Sequence, residues 1–323
     1  MKLNYEVFEK ATTGGTSICI FKKNMEGNNK VECYNINNED EFSSKKPIFL
    51  SQKDILIGEN RSFSFLSPIH QILVNKLFKE NKKLDYFCSV NNGVNTGNAA
   101  NVLLYDSAQN KNYRKILEGK DINRYTTKWK GLWINYDTTL KSKIKLEDLI
   151  TKQNKIDFAL RDSRIFDSEK LIIRQTADRI IATLDTNKYI SRHSTHCILN
   201  DFEQINLKFL LGILNSKLIG FYYNQFIPEK GKAFAEVKAI NVKQIPIKLI
   251  NFQNKTEKAT HDKIVALVEQ MLEAKKQLQI TKTDKDKTYY ERKCSSLDTA
   301  IDAEVYKLYD LSEEEIAIIE NKK

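Results

Sequence analysis

Lys170–Asp185 reads KLIIRQTADRIIATLD. Two apolar runs, Leu171–Ile173 and Ile180–Ala182, flank a polar tip of Arg174, Gln175, Thr176, Asp178 and Arg179. Short β-branched runs bounded by polar clusters form strands, and two of them around a short polar tip make a hairpin. The same signature recurs on either side. VLLYD (Val102–Asp106), GLWINYD (Gly131–Asp137) and HCILN (His196–Asn200) are further short β-branched or aromatic runs, separated by Lys, Asn, Asp and Thr clusters. The centre of the chain is therefore strand-rich.

Outward from this centre the periodicity changes. Asn206–Tyr223 spaces Leu207, Leu210, Leu211, Leu214, Leu218 and Phe221 by three and four, which predicts one buried helix. Gln244–Ile247 (QIPI) is a strand whose Pro246 must end the pairing or lie at an edge. Beyond residue 251 the period is helical. A helix starting at Thr260–Asp262 carries Ile264, Val268 and Met271 on one face, a polar turn spans Thr281–Lys287, and a second helix carries Cys294, Leu297, Ile301, Val305 and Leu308. Two helices joined this way form an antiparallel hairpin. Ser312 then opens SEEEI, an N-cap followed by glutamates in the first turn. On the other side, Pro68–Lys79 is a helix with Ile69, Ile72, Leu73, Leu77 and Phe78 on its apolar face. Before it, Thr16–Phe21, Lys30–Ile36 and Pro47–Leu50 read as strands at the end of a larger sheet.

The 323 residues allow two or three domains, and a hydrophobic fraction of 41% provides for a real core. With 11 Gly and 4 Pro, the chain is neither disordered nor linker-rich. It has no apolar run of about 18 residues and no secretory N-terminus, so a soluble cytoplasmic protein is expected. Five scattered cysteines without a CxxC fit reduced thiols and give no zinc site. The net charge of +10 is unevenly placed. Residues 111–250 hold 26 Lys and Arg against 15 Asp and Glu, a net +11, whereas residues 1–110 are at +1 and 251–323 at −2. A basic segment between neutral ones points to a polyanion, most often nucleic acid; the bland alternative is a lysine-rich solubilising surface.

NNGVNTGN (Asn91–Asn98) resembles a phosphate cradle only superficially. Gly93 and Gly97 are four apart, no Lys-Ser or Lys-Thr follows, and the next residues read as a strand rather than a helix. The glycines are better explained by positive φ or close backbone approach. Asn95, Thr96 and Asn98 either cap the turn or meet a phosphate.

Several segments in order carry a family resemblance: NNGVNTGN, YRKILEGKDINRY, LWINYD, KLIIRQTADRIIATLD, LKFLLGILNSKLIGFYYNQF, VKQIPIK, the helical hairpin and IDAEVYKLYDLSEEEIAIIE. Over residues 86–323 the chain resembles the TaqI-like C-terminal specificity domain of type IIG restriction-modification adenine methyltransferases. The resemblance implies an α+β fold in four parts. Residues 1–66 would be the last strands of a truncated α/β methyltransferase sheet, 67–85 a connecting helix, 86–250 a strand-rich DNA target recognition domain with a buried helix, and 251–323 the helical hairpin and tail. It further implies a module that reads duplex DNA for N6-adenine methylation or cleavage carried out elsewhere. The family's Asn-Pro-Pro-Tyr motif and S-adenosylmethionine loop do not occur, and no Pro-Pro is present. The chain is therefore expected not to be catalytic alone, with S-adenosylmethionine and Mg²⁺ belonging to a full-length enzyme or to a methyltransferase or nuclease partner. The alternatives are a fragment of a complete methyltransferase-endonuclease and an inactive remnant that binds protein.

The candidate DNA-binding residues come from four polar stretches. In the hairpin tip, Arg174 and Arg179 suit guanine O6/N7 and Gln175 suits adenine N6/N7, the alternative being a solvated hairpin with an Arg–Asp pair. Arg192, His193 and Thr195, in SRHSTH, suit phosphates or base edges. His193, His196 and Cys197 lack a fourth nearby ligand and are not read as a zinc site. Lys230 and Lys232, in PEKGKAF, suit a phosphate clamp, or lie on a loop tip. Arg124 and Lys128 flank Tyr125 and Trp129 and are assigned to phosphates, while Trp129 and Trp133 are assigned to the core. Asp157, Asp162, Asp167 and Glu169 lie among arginines and fit a charged loop better than a nuclease site.

Overall fold

The computed structural model describes residues 30–36, 38–51, 68–149, 155–201, 205–226 and 235–321, with short strand pieces at 2–3, 16–17, 56–57 and 62–63. Near the N-terminus Lys2–Leu3 pairs antiparallel with Thr16–Ser17 and parallel with Asn35–Ile36, so a strand does precede Thr16. Lys30–Cys33 pairs with Ile48–Ser51. The main elements beyond these start with helix α1 (Pro68–Glu80) and strands β1 (Ser89–Asn92), β2 (Leu104–Tyr105), β3 (Tyr113–Leu117) and β4 (Trp133–Asn135). They continue with β5 (Lys170–Arg174), β6 (Ala182–Asp185), β7 (Ile190–Ser191) and β8 (Thr195–Leu199). Helices α2 (Leu207–Asn215), α3 (Lys217–Phe226), α4 (Lys255–Ile280), α5 (Asp284–Leu308) and α6 (Glu313–Ile319) complete the chain.

The hairpin read from KLIIRQTADRIIATLD is β5–β6, in register from Lys170 opposite Asp185 to Ile173 opposite Ala182. It heads an antiparallel sheet of order β6-β5-β8-β1. A second sheet has the order β2-β4-β3-β7, with β7 parallel to β3. Only Arg192–Ser194 separates β7 from β8, so one tight turn carries the chain between the sheets. Every residue of β8 is buried because both faces of its sheet are covered. Successive side chains point to opposite faces. Thus Ile198 enters the core with the helices, whereas Cys197 enters the core shared with the second sheet. At the base of the hairpin Lys170 Nζ lies 2.6 Å from Asp185 Oδ2, both side chains fully buried. Phe166 O accepts from the same ammonium, and Asn187 and Tyr189 amides donate to the same carboxylate. A buried ion pair persists only when its remaining hydrogen-bonding capacity is met in this way.

One apolar core joins α1 (Leu73, Leu77), β5 (Leu171, Ile173), α2 (Leu211), α4 (Ile264, Met271), α5 (Ile301, Val305) and α6 (Ile319). The helical hairpin α4–α5 is therefore packed into the same core as the sheet, and the α+β class with a C-terminal helical hairpin is observed. Details depart from the periodicity. The single helix expected over Asn206–Tyr223 is two helices, broken at Ser216 (φ −69°, ψ 157°). Asp302 of α5 caps the second one by accepting from the Lys217 amide at 2.8 Å, a contact from 85 residues away that local spacing cannot show. Helix α4 begins at Lys255, where Asn254 accepts from the Thr256 and Glu257 amides, five residues before the expected start. The turn shrinks to Thr281–Thr283 because Thr283 caps α5. In VLLYD, Val102–Leu103 end a one-turn helix, and only Leu104–Tyr105 pair as a strand. Residues following Gly97 therefore start as a helical turn, not the expected strand. On α1, Ile72 is 67% exposed and Val74 takes the buried place instead. Pro246 does lie in a two-stranded edge pairing with Lys83. Among the described residues, no helix is long and apolar enough to cross a membrane.

Candidate nucleic-acid interface

Two sheets that meet at one turn bring their loops together at one end. The hub is Arg192–Thr195. Its amides and carbonyls are spoken for on both sides: Arg192 N donates to Leu117 O, His193 N to Val94 O and Gln175 N to Ser194 O, all at 2.7–2.9 Å. Ser194 Oγ accepts from Gly119 N at 2.9 Å. The Arg192 guanidinium forms an ion pair with Glu118 and a hydrogen bond to Thr96 Oγ1 at 3.2 Å. Glu118 also holds Lys120 at 2.5 Å. Burial alone would raise the Glu118 carboxyl, but hydrogen bonds and charges from Lys120 and Arg192 outweigh it and hold the group below its ordinary value. This carboxylate is therefore ionised at neutral pH and fixes both cations.

NNGVNTGN packs into this hub, which answers what its glycines do. A Cβ on Gly93 would sit 2.2 Å from Arg192 O, a distance no side chain can occupy. Gly97 has φ +44°, the left-handed region, and a Cβ there would meet Asp157 O. Asn95 and Asn98 are structural: Asn95 Oδ1 accepts from Gly97 N, and Asn98 bonds the backbone at Lys155 and Asp157. The stretch is a backbone junction.

The hairpin tip lies alongside. Gln175 O accepts from Val237 N at 2.7 Å, and Thr176 bridges to Glu236. Gln175 Nε2 donates to Glu236 Oε1 at 2.6 Å. Arg174 spends Nε on Thr176 O, which leaves its terminal nitrogens without a partner among the described residues. Arg179 is exposed and pairs with its neighbour Asp178 at 3.3 Å, the solvated Arg–Asp pair considered above. Residues 236–237 dock against this tip. Lys230 and Lys232 lie outside the described residues.

The structure thus brings Arg174 and Gln175 beside the turn that carries Arg192 and His193, leaves Arg179 further along the hairpin tip, and separates others. Thr195 is fully buried and its hydroxyl donates to Arg192 O, so it faces no ligand. Arg124 is held by both Asp298 carboxylate oxygens and by Asn215 O, which makes it a joint between the sheet region and α5. Lys128 is exposed, with its backbone amide on Asp121 O. His193 is exposed at the turn; partial burial of its ring, then the charge of Arg192, lower its pKa, so it presents a neutral imidazole at pH 7. His196 is a core residue, with Nε2 2.7 Å from Val237 O and Nδ1 beside Asn92. Among the described residues no cluster of three or more His, Cys, Asp or Glu could hold a metal. Asp162 and Asp167 pair with Arg164 and Arg114 instead. Glu118 and Glu236, which organise the hub and the tip, had no local mark in the sequence, because their partners Arg192 and Gln175 are 74 and 61 residues away.

Residues 114–247 match the TaqI-like C-terminal specificity domain. The matched span contains the hub turn, the hairpin tip and Glu118. The chain is also similar to three solved structures. The type IIL restriction-modification enzyme MmeI in complex with DNA shares 13% identity over 90% of this chain and 41% of that one, at a TM-score of 0.49. The HsdS subunit from Thermoanaerobacter tengcongensis shares 11% over 73% and 51%, at 0.33, and the type IIG restriction endonuclease BpuSI 11% over 75% and 33%, at 0.39. Likenesses this distant carry no weight for single residues or for activity. The chain spans between a third and about half the length of those structures. No curated protein matches it.

Proposed function

We propose that this chain is the DNA-reading part of a restriction-modification system, which recognises a short duplex sequence for methylation or cleavage performed by other domains. The observation that carries this reading is the convergence, on a matched specificity domain, of two cationic loops that were separate in the sequence. Major-groove readout needs a small set of donors and acceptors on a rigid support. The tip offers the Arg174 guanidinium and the Gln175 side-chain oxygen Oε1, and the hub offers His193. Arg179 and Lys128 supply charge for phosphates, and Lys230 and Lys232 are assigned the same role on their sequence. Arg192 serves by holding the turn through Glu118. On the family resemblance, Mg²⁺ and S-adenosylmethionine are assigned to a methyltransferase or nuclease partner or to a longer enzyme.

The test is selection of duplexes from a random-sequence pool by the purified chain at two salt concentrations. Enrichment of one short motif, with affinity falling steeply as salt rises, is expected. Absence of binding even at low salt overturns the reading.

A further inference from the structure

The outer face of the second sheet is not used by this reading. Cross-strand register aligns Tyr105, Trp133 and Lys115, and Tyr113 lies opposite Asn135. Alternation sends Ile116 and Ile134 into the core and leaves the aromatic side chains on the other face. Tyr105, Tyr113, Trp129 and Trp133 are all partly exposed there; of the two tryptophans for which a core place was expected, Trp129 meets it in part, with one side packed on the buried Leu117, Ile122 and Ile172. The rings are ordered: Trp129 and Trp133 meet edge to face at 5.4 Å, and Tyr105 and Tyr113 at 5.1 Å. The Trp129 indole donates to Leu132 O at 2.7 Å, which fixes its orientation. Lys115 Nζ sits 4.6 Å from the Trp129 ring centre and 5.8 Å from that of Trp133, with no acidic partner among the described residues.

We infer that this face binds unpaired nucleic-acid bases, as a stacking platform for a single strand. Flat aromatic rings with free area attract base faces, and only unpaired bases expose their faces; in a duplex they are covered by stacking. The charge around the rings fits a phosphate backbone: Lys111, Lys128 and Lys130 are exposed nearby, against exposed Asp106 and a buried Asp121. Lys115 occupies the Trp129 face in the free protein and moves to a phosphate when a base takes its place. Strand β3 leads from the platform directly into Glu118, the partner of Arg192, so a strand lying here adjoins the converging loops.

The chain contains two tryptophans, and both lie on this face, so intrinsic tryptophan emission reports on it alone. Titration of the full chain with a single-stranded thymidine oligonucleotide is expected to quench that emission saturably at low salt, while a blunt mixed-sequence duplex of the same length leaves it nearly unchanged. In fluorescence anisotropy with the labelled single strand, Trp133→Ala is expected to weaken binding about tenfold, as loss of one stacked base does, Trp133→Phe to retain most of it, and Lys115→Ala to weaken it several-fold through loss of a phosphate contact. Equal quenching by duplex, no quenching by single strand, or unchanged affinity of Lys115→Ala would overturn the inference. Because Lys115 is exposed and Trp133→Phe keeps a ring, these two variants remain decisive even if Trp133→Ala fails to fold.

Discussion

The turn Arg192–Thr195 and the tip Gln175–Ile181 lie side by side and are built in opposite ways. In the turn, backbone and side chains are fastened from three directions, by β3, by the Gly93–Val94 segment and by Glu118. In the tip, Gln175 is fastened to Glu236 and Val237, while Arg174 and Arg179 reach only into their own loop. Both stretches are polar and cationic, and composition alone ranks them equally as DNA contacts. The difference lies in where the arginine charge is spent. A guanidinium neutralised inside the fold positions other groups, and one left at the surface is available to a base or a phosphate.

The hairpin base gives the largest effect against which this contrast can be measured. Asp185→Ala removes the acceptor of a fully buried ammonium and is expected to destabilise the chain by about 3–5 kcal/mol. Chemical denaturation would show this; a loss under 1 kcal/mol would mean the hairpin does not depend on its base. Arg192→Ala comes next. Hydrogen bonds to charged groups are worth about 1.5–3 kcal/mol each, and the variant also strands the Glu118 carboxylate, so a stability loss in that range is expected. DNA affinity should then fall alike for every sequence. Retained stability with a changed sequence preference would turn the contrast round and make Arg192 a reader.

How much of this was legible depends on the range of the interaction. The β5–β6 hairpin, the apolar faces of α4 and α5 and the Ser312 cap follow from residues within a few positions of one another, and local patterns express them. The break at Ser216 depends on Asp302, the role of Arg124 on Asp298, and that of Arg192 on Glu118; these partners are 74 to 174 residues away. Thr195 looked like a surface hydroxyl because it stands among polar residues, yet strand pairing with Arg174 on one side and the Gly93 junction on the other encloses it. Trp133 failed in the opposite sense: size argued for the core, while alternation along β4 placed it on the face opposite the buried Ile134; Trp129, by contrast, does pack on the buried cluster of Leu117, Ile122 and Ile172.

Smaller effects belong to the tip. Arg174→Ala should leave thermal stability unchanged and relax preference at one base position by about 1–3 kcal/mol, measured on the enriched motif and its single-base variants. A uniform loss across all variants would place the guanidinium on a phosphate instead.

Arg179→Ala is the subtlest change. The side chain is exposed and its partner Asp178 is next to it in sequence, so little is lost from the fold when it goes. If Arg179 meets a phosphate, removing it takes one counterion release out of binding. The slope of log affinity against log salt should then become shallower by about one, equally for specific and non-specific duplexes. Asp178 supplies the control. In the free protein it competes with DNA for the same guanidinium, so Asp178→Asn should strengthen binding at low salt and converge with the parent at high salt, where screening weakens the surface pair. An Asp178→Asn chain that binds no better than the parent, beside an Arg179→Ala chain with an unchanged slope, would leave the pair as surface solvation and confine readout to Arg174, Gln175 and His193.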